Sequence, residues 1–189
     1  WEKDPDPSLF KNAMESAHLA LDLDPNDPEA HRIMGAIKIF MEKDYELGKF
    51  HFEKARELCP SDVYLISRYA LMLIYIGDCE KALSELKRAM RLDPFSHDVL
   101  FAQEGMCYYW LEDYKKAVES FRKVKILRQN LFYLAACYIK MGDLDTGLEK
   151  LKEAETVTGQ DSDAFVDSLP YEQEDMMSDL RHTLNSAKG

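Results

Sequence analysis

Histidine, cysteine and clustered carboxylates are the side chains with which this chain of 189 residues could do metal, nucleophilic or acid–base chemistry. The five histidines, His18, His31, His51, His97 and His182, show no metal-ligand spacing. His31 falls at a large packing position of a helix and reads as buried structure. Cys59, Cys79, Cys107 and Cys137 include no C-x-x-C pair, so neither zinc nor dithiol redox spacing is present, and they read as small apolar core residues in a reducing compartment. The acidic runs Asp22 to Asp27 and Glu172 to Asp175 could attract calcium. Asp22-Leu23-Asp24, however, lacks the glycine turn and the closing glutamate of a calcium loop. H-E-x-x-H, G-x-S-x-G, G-x-G-x-x-G and a phosphate-cradling G-x-x-x-x-G-K are all missing, and the eight glycines are scattered. No catalytic residue, metal or cofactor is expected.

The bulk properties narrow the partners. Charged residues make up 31% of the chain, hydrophobic residues 46%, and the formal net charge is −11. Such a field repels phosphate backbones and anionic lipid surfaces, so neither nucleic acid nor membrane insertion is expected. The densest basic run, Lys115, Lys116, Arg122, Lys123, Lys125 and Arg128, reads as a solvated helix face. The longest apolar candidate, Tyr69 to Ile76, is far below the ~18 residues that cross a bilayer, and no signal-peptide pattern opens the chain. A cytoplasmic location follows as an expectation. The start at Trp1 suggests a piece of a longer protein.

What would position these side chains is a repeat. The segments Ala20 to Pro25, Ala55 to Pro60 and Ala89 to Pro94 share alanine, a leucine three residues on and a closing proline, and the prolines are 35 and 34 residues apart. Between them each unit reads as two amphipathic helices joined by a turn: Glu42 to Tyr45, Gly77 to Cys79, Glu112 to Tyr114 and Gly142 to Leu144. Aspartate recurs in each turn, where it can cap the second helix. Small residues mark close helix contacts: Gly35, Ala70, Gly105 and Ala135 on first helices, then Gly48, Ala82, Ala117 and Gly147, and Ala55, Ala89, Val124 and Ala154 on second helices. Phe52, Leu86, Phe121 and Leu151, followed by Leu58, Leu92, Leu127 and Val157, should fill the gaps.

With this spacing, Leu9 to Val157 resembles the tetratricopeptide-repeat (TPR) family, best of all in the unit Val63 to Pro94. The resemblance implies an all-α, right-handed superhelical solenoid of antiparallel helix pairs. We expect a half-repeat at 7–25, repeats at about 26–60, 61–94, 95–128 and 129–157, a linker at 158–169, and a C-terminal helix at 170–189. Met176, Met177, Leu180 and Leu184 give that helix an apolar stripe, expected to cap the fourth unit, with folding back into the groove as the alternative. The first and third units carry an extra residue, and Tyr114 to Leu144 spans 30 residues where the family uses about 34. An abrupt connection near Arg128 to Asn130 should result.

In the family, first helices line a ligand groove. Carried over by alignment, the groove residues are Arg32, Tyr64, Arg68, Tyr75, Gln103, Met106, Tyr109, Trp110, Phe132, Tyr133 and Lys140, with Tyr75, Tyr109 and Trp110 foremost. The other reading is that some of these rings pack between helices or beneath the C-terminal helix. A chaperone-tail clamp is not implied: Arg32 fits one of its places, but Ala36, Arg68, Val99 and Gln103 occupy the others. A narrower likeness is to the C-terminal repeat region of bacterial class III adenylate or guanylate cyclases, or of similarly built winged-helix regulators. It rests on Ala20 to Pro25, Arg91 to Ser96, Leu134 to Tyr138, Leu169-Pro170-Tyr171 and Asp179-Leu180-Arg181. It implies a non-catalytic regulatory module of a larger cytoplasmic bacterial signalling protein, binding a protein, a peptide or another domain of its own chain. A free-standing adaptor or assembly scaffold is the alternative, and homodimer formation stays open.

Overall fold

A computed structural model describes residues 7–95, 98–125, 128 and 130–188. Trp1, Ser96, His97 and Leu127, named above, lie outside the described residues. The chain forms the helices α1 (Pro7–Leu23), α2 (Pro28–Ile37), α3 (Tyr45–Leu58), α4 (Val63–Tyr75), α5 (Cys79–Leu92), α6 (Asp98–Trp110), α7 (Tyr114–Phe121), α8 (Asn130–Lys140), α9 (Leu144–Thr158), α10 (Ser162–Asp167) and α11 (Glu174–Ser186). Among the described residues none of them is long and apolar enough to cross a membrane. Helices α2 and α3, α4 and α5, α6 and α7, and α8 and α9 pack as pairs, α3, α5 and α7 each also pack on the next first helix, and α6 touches both α4 and α8. The molecule is an all-α solenoid.

The four turns inside the pairs share one construction. In each, a residue with left-handed backbone (Lys43 φ 53°, Gly77 φ 86°, Glu112 φ 60°, Gly142 φ 83°) precedes the aspartate. The amides of Leu47, Lys81, Lys116 and Thr146 then donate to Asp44, Asp78, Asp113 and Asp143 at 3.1 to 3.2 Å. The left-handed residue ends one helix and the carboxylate takes up a free amide of the next. The first unit carries its extra residue in a π turn, Lys38–Glu42, that continues α2, the usual way a helix accommodates an insertion. At the other departure from the repeat, α7 stops at Phe121 and α8 begins at Asn130, with Arg128 left-handed between them (φ 33°).

Close approach inside the pairs follows from the small residues. A Cβ on Gly35 would stand 2.7 Å from Phe52 Cδ2, and one on Gly105 only 2.6 Å from Phe121 Cε1. Phe52, Leu86, Phe121 and Leu151 are all buried, as the pattern requires. Leu92 and Val157 correct the expectation made for them: they are exposed, because they lie at the last turns of α5 and α9, beyond the neighbouring helices.

In the first unit two buried histidines meet. His31 Nδ1 on α2 lies 2.9 Å from His51 Nδ1 on α3, and His31 Nε2 lies 3.1 Å from the Pro25 carbonyl. A carbonyl can only accept, so His31 carries its proton on Nε2 and accepts at Nδ1 from His51. Burial, then His31, Lys38 and His18, hold the His51 pKa below its ordinary value.

Two outcomes are expected. Gly105→Ala should cost ~1–3 kcal/mol by overpacking against Phe121. Gly142→Ala, where nothing lies within 4 Å of the added carbon, should cost ~1–2 kcal/mol through its backbone alone. Urea denaturation measures both, and unchanged midpoints would contradict the close contact or the turn. Because the His51 pKa is lowered on folding, the folded state binds fewer protons there than the unfolded chain, so its stabilisation is present above the ordinary histidine pKa and lost as pH falls below it towards the folded-state value. The stability difference between wild type and His51→Gln should therefore shrink from about pH 7.5 to about pH 5, and a constant difference would contradict the assignment.

Candidate functional site

The first-helix face is built from side chains three and four residues apart, which share one side of a helix. On α4 that stripe is Tyr64, Arg68, Leu71 and Tyr75. The stripe divides into two halves with different fates.

The C-terminal halves of α4 and α6 and the middle of α8 are covered by the chain itself. Residues 158–169, expected as a linker, instead finish α9, turn through Gly159 in left-handed conformation and form α10. The C-terminal helix begins at Glu174 and not at 170. Between the two helices Leu169, Pro170 and Tyr171 are buried, and the segment is fastened to first helices. The Glu172 amide donates to the Tyr75 carbonyl at 2.9 Å, Gln173 Nε2 donates to the Ile76 carbonyl at 3.2 Å, and Tyr45 Oη donates to the Tyr171 carbonyl at 2.9 Å. The Tyr171 ring sits edge-on to Tyr75 and to Trp110, each centroid 5.2 Å away. Its hydroxyl accepts from Trp110 Nε1 at 2.7 Å and shares a hydrogen bond with Tyr133 Oη at 2.7 Å. Phe165 of α10 stacks on Phe132 at 4.2 Å, and α11 lies on α8, tied by Lys140 to Asp179 at 2.8 Å. The segment thus lies along the groove as well as closing the fourth unit.

This placement changes the standing of the expected groove residues. Tyr75, Gln103, Met106, Tyr109, Phe132 and Tyr133 are buried, and Trp110 is turned onto Tyr171. In this arrangement they face other parts of the chain, and of the seven Trp110 alone keeps part of its surface exposed. Gln103 accepts from Ser67 Oγ at 3.2 Å and so bridges α6 to α4. Burial pushes Tyr75 up to about 12 and holds Tyr133 and Tyr171 well above the ordinary tyrosine range, so the phenols stay neutral. Burial likewise raises the Cys107 and Cys137 thiols, the latter to about 12, which leaves them poor nucleophiles. Among the described residues no group of three or more His, Cys, Asp or Glu could hold a metal ion.

The contacts made by the C-terminal segment do not reach the N-terminal halves of α2, α4 and α6 among the described residues. Tyr64 is 50% exposed, and two guanidinium groups approach its ring, Arg32 at 5.1 Å and Arg68 at 5.0 Å from the centroid. Arg32 is held by Glu29 through a two-pronged contact, Nε donating to Oε2 at 2.7 Å and Nη2 to Oε1. That partner holds Arg32 further into its charged form. Among the described residues Arg68 Nε has no hydrogen-bond partner, and it is sealed from the surface. Val99 on α6 and Phe95 ahead of it are exposed as well. The sequence expectation includes Arg32, Tyr64 and Arg68, but it gives Val99 no positive role and does not include Phe95. The signal available for Phe95 is an aromatic residue in a turn after a repeat-ending proline.

Tyr171→Phe keeps the ring and removes the hydroxyl, leaving Trp110 Nε1 and Tyr133 Oη without that partner inside the core. A loss of ~1–3 kcal/mol is expected in urea denaturation. An unchanged midpoint would mean that the hydroxyl cluster does not hold the segment down.

Comparison with known proteins agrees with this architecture. A family model described as tetratricopeptide repeat matches residues 129–154. Human tetratricopeptide repeat protein 13 is 28% identical over 116 residues, which is 59% of this chain and 13% of that protein, so the chain spans a small part of this much longer relative. Among solved structures, a thermophilic TPR protein of Thermus thermophilus superposes with a TM-score of 0.68 at 21% identity, covering 95% of this chain and 90% of the other. The helix pairs, their capped turns and these likenesses together give the chain the fold of a tetratricopeptide-repeat protein.

Proposed function

We propose that this chain is a non-catalytic module that binds another polypeptide on the open half of its first-helix face, around Arg32, Tyr64 and Arg68. The observation that carries the reading is the division of that face. One half already holds a non-helical stretch of polypeptide, residues 169–173, through the Glu172 amide on the Tyr75 carbonyl, side-chain hydrogen bonds and edge-on aromatic contacts. The other half offers the same kind of surface and is left uncovered by the C-terminal segment. Tyrosine and arginine are the residues that concentrate binding energy at protein interfaces, since a rigid ring flanked by guanidinium groups buries area at small entropic cost.

The binding role suits two settings. In the first, the chain is the regulatory part of a larger cytoplasmic signalling protein, such as a nucleotide cyclase. The match to a short stretch of a long human protein is in keeping with a repeat region embedded in a longer chain. In the second it is a free-standing adaptor or scaffold, in keeping with its near end-to-end match to the Thermus protein.

A photoreactive phenylalanine analogue at position 64 tests the binding role. In cells making the protein, irradiation should yield a discrete polypeptide adduct from position 64 and none from the same residue at Glu119, which is exposed on α7. No adduct, or the same adduct at both positions, would overturn the reading.

A further inference from the structure

At the opposite end of α6 from Val99, where the last turns of α6 and α8 meet the start of α11, the chain leaves a cavity of about 190 Å³. We infer that this cavity takes an alkylammonium group, with its methylene stem against Tyr109, Trp110, Tyr114 and Met176 and its charged end among Glu112, Asp175 and Asp179. The site is separate from the open half of the first-helix face and does not rest on the role proposed for that half.

The less exposed part of the lining is apolar: Tyr109 is buried, and Trp110, Tyr114 and Met176 are half-buried. The Tyr109 ring lies 4.9 Å from Trp110 at 77° and 5.8 Å from Tyr114 at 57°, so the rings meet as walls and not as a stack. Aromatic walls attract a cation held within about 6 Å of a ring face, and they pack against the methylenes behind it. The volume sets the size of the occupant. It falls below the ~300 Å³ at which sites for drug-sized molecules begin, and suits a group no larger than one long side chain.

The exposed rim is acidic. Glu112, Asp175 and Asp179 stand there against Lys140. Lys140 pairs with Asp179 at 2.8 Å, while Glu112 and Asp175 have no ion pair among the described residues. Two carboxylates are therefore left over. The last residues of α6 and α8, Trp110 and Lys140, both line the cavity, so two helices present their negative ends to it. The opposing positive end of α11 is offset by Asp175, whose Oδ1 accepts from the Met176 amide at 2.9 Å. Among the described residues no three carboxylates stand close enough together to hold a metal ion. Charge spread around an aromatic cavity suits an organic cation instead.

Tyr109 supplies an independent sign. It is only 2% exposed, and its hydroxyl has no hydrogen-bond partner among the described residues. Asp179 and Thr183 stand near that hydroxyl, but Thr183 Oγ1 gives its proton to the Asp179 carbonyl. A buried phenol without a partner is unusual. An ammonium that enters as far as Asp179 brings N–H donors to the part of the wall where this oxygen lacks one. A primary ammonium has three such donors, whereas a quaternary one has none.

The test uses the full chain and follows the Trp110 indole N–H by NMR during titration at pH 7 with pentylammonium, 1-pentanol and tetramethylammonium. Pentylammonium should give a saturable shift and bind about tenfold more tightly than the uncharged alcohol. Tetramethylammonium should bind more weakly than pentylammonium. The double variant Glu112→Gln, Asp175→Asn should lose most of the preference for the amine over the alcohol, with helix content unchanged by circular dichroism. Absence of a saturable shift would overturn the inference, because Lys140 would then be the only cation the rim accepts. Equal binding of amine and alcohol would reduce the site to an apolar hollow, and an undiminished preference in the double variant would remove the carboxylates from it; either result overturns the inference. Tetramethylammonium binding as tightly as pentylammonium would overturn the assignment to N–H-bearing cations. Where pentylammonium binds, the source follows from acetyl-lysine methylamide: comparable binding marks a lysine of a polypeptide, and its exclusion marks a free amine.

Discussion

Most of what this molecule offers to a partner depends on where one hydroxyl group is satisfied. Tyr133 and Tyr171 are fully buried and Trp110 partly so, and each brings a polar atom that must find a hydrogen-bond partner away from water. They find one another: Trp110 Nε1 donates to Tyr171 Oη, which shares a hydrogen bond with Tyr133 Oη. That cluster, together with the Glu172 amide on the Tyr75 carbonyl, fixes the C-terminal segment on α4, α6 and α8. One half of the face is thereby closed and the other left free.

The closure also answers a problem common to solenoids. A stack of helix pairs exposes apolar surface on its last unit. Here Phe165 and Val166 of α10 and Leu180 and Leu184 of α11 are buried in the same core as the repeats. The two short helices therefore cap the stack, and the connection between them, residues 169–173, spans the face on the way from one to the other. Filling the groove follows from capping by this route.

Much of the fold can be read from residue types because it rests on local chemistry. The aspartate of each turn, the small residue of each close contact and the large residue opposite it recur at fixed spacing, and each has a local physical reason. The left-handed residue before the aspartate is visible where it is Gly77 or Gly142, but not where it is Lys43 or Glu112, since those side chains do not advertise a positive φ. The site is far less legible. Spacing places Tyr75, Tyr109 and Trp110 on first helices, but their fate depends on Tyr171, about 60 to 100 residues away in the chain, and no periodicity relates such positions. Likewise, the length and polarity of 158–169 suit a linker, yet Asp161 caps a short helix whose Phe165 stacks on Phe132. The pairing of His31 with His51 is a contact between helices that spacing alone does not reveal.

The central claim is that the two halves of the face act separately, one sealed by the chain and one open. It is tested most directly by amide hydrogen exchange of the full chain, followed residue by residue by NMR. The Glu172 amide, bonded to the Tyr75 carbonyl, should be protected from exchange as amides inside α4 and α8 are. Rapid exchange at Glu172 while the amides of α4 and α8 stay protected would show that the C-terminal segment leaves the face open, and the division of the face would be wrong.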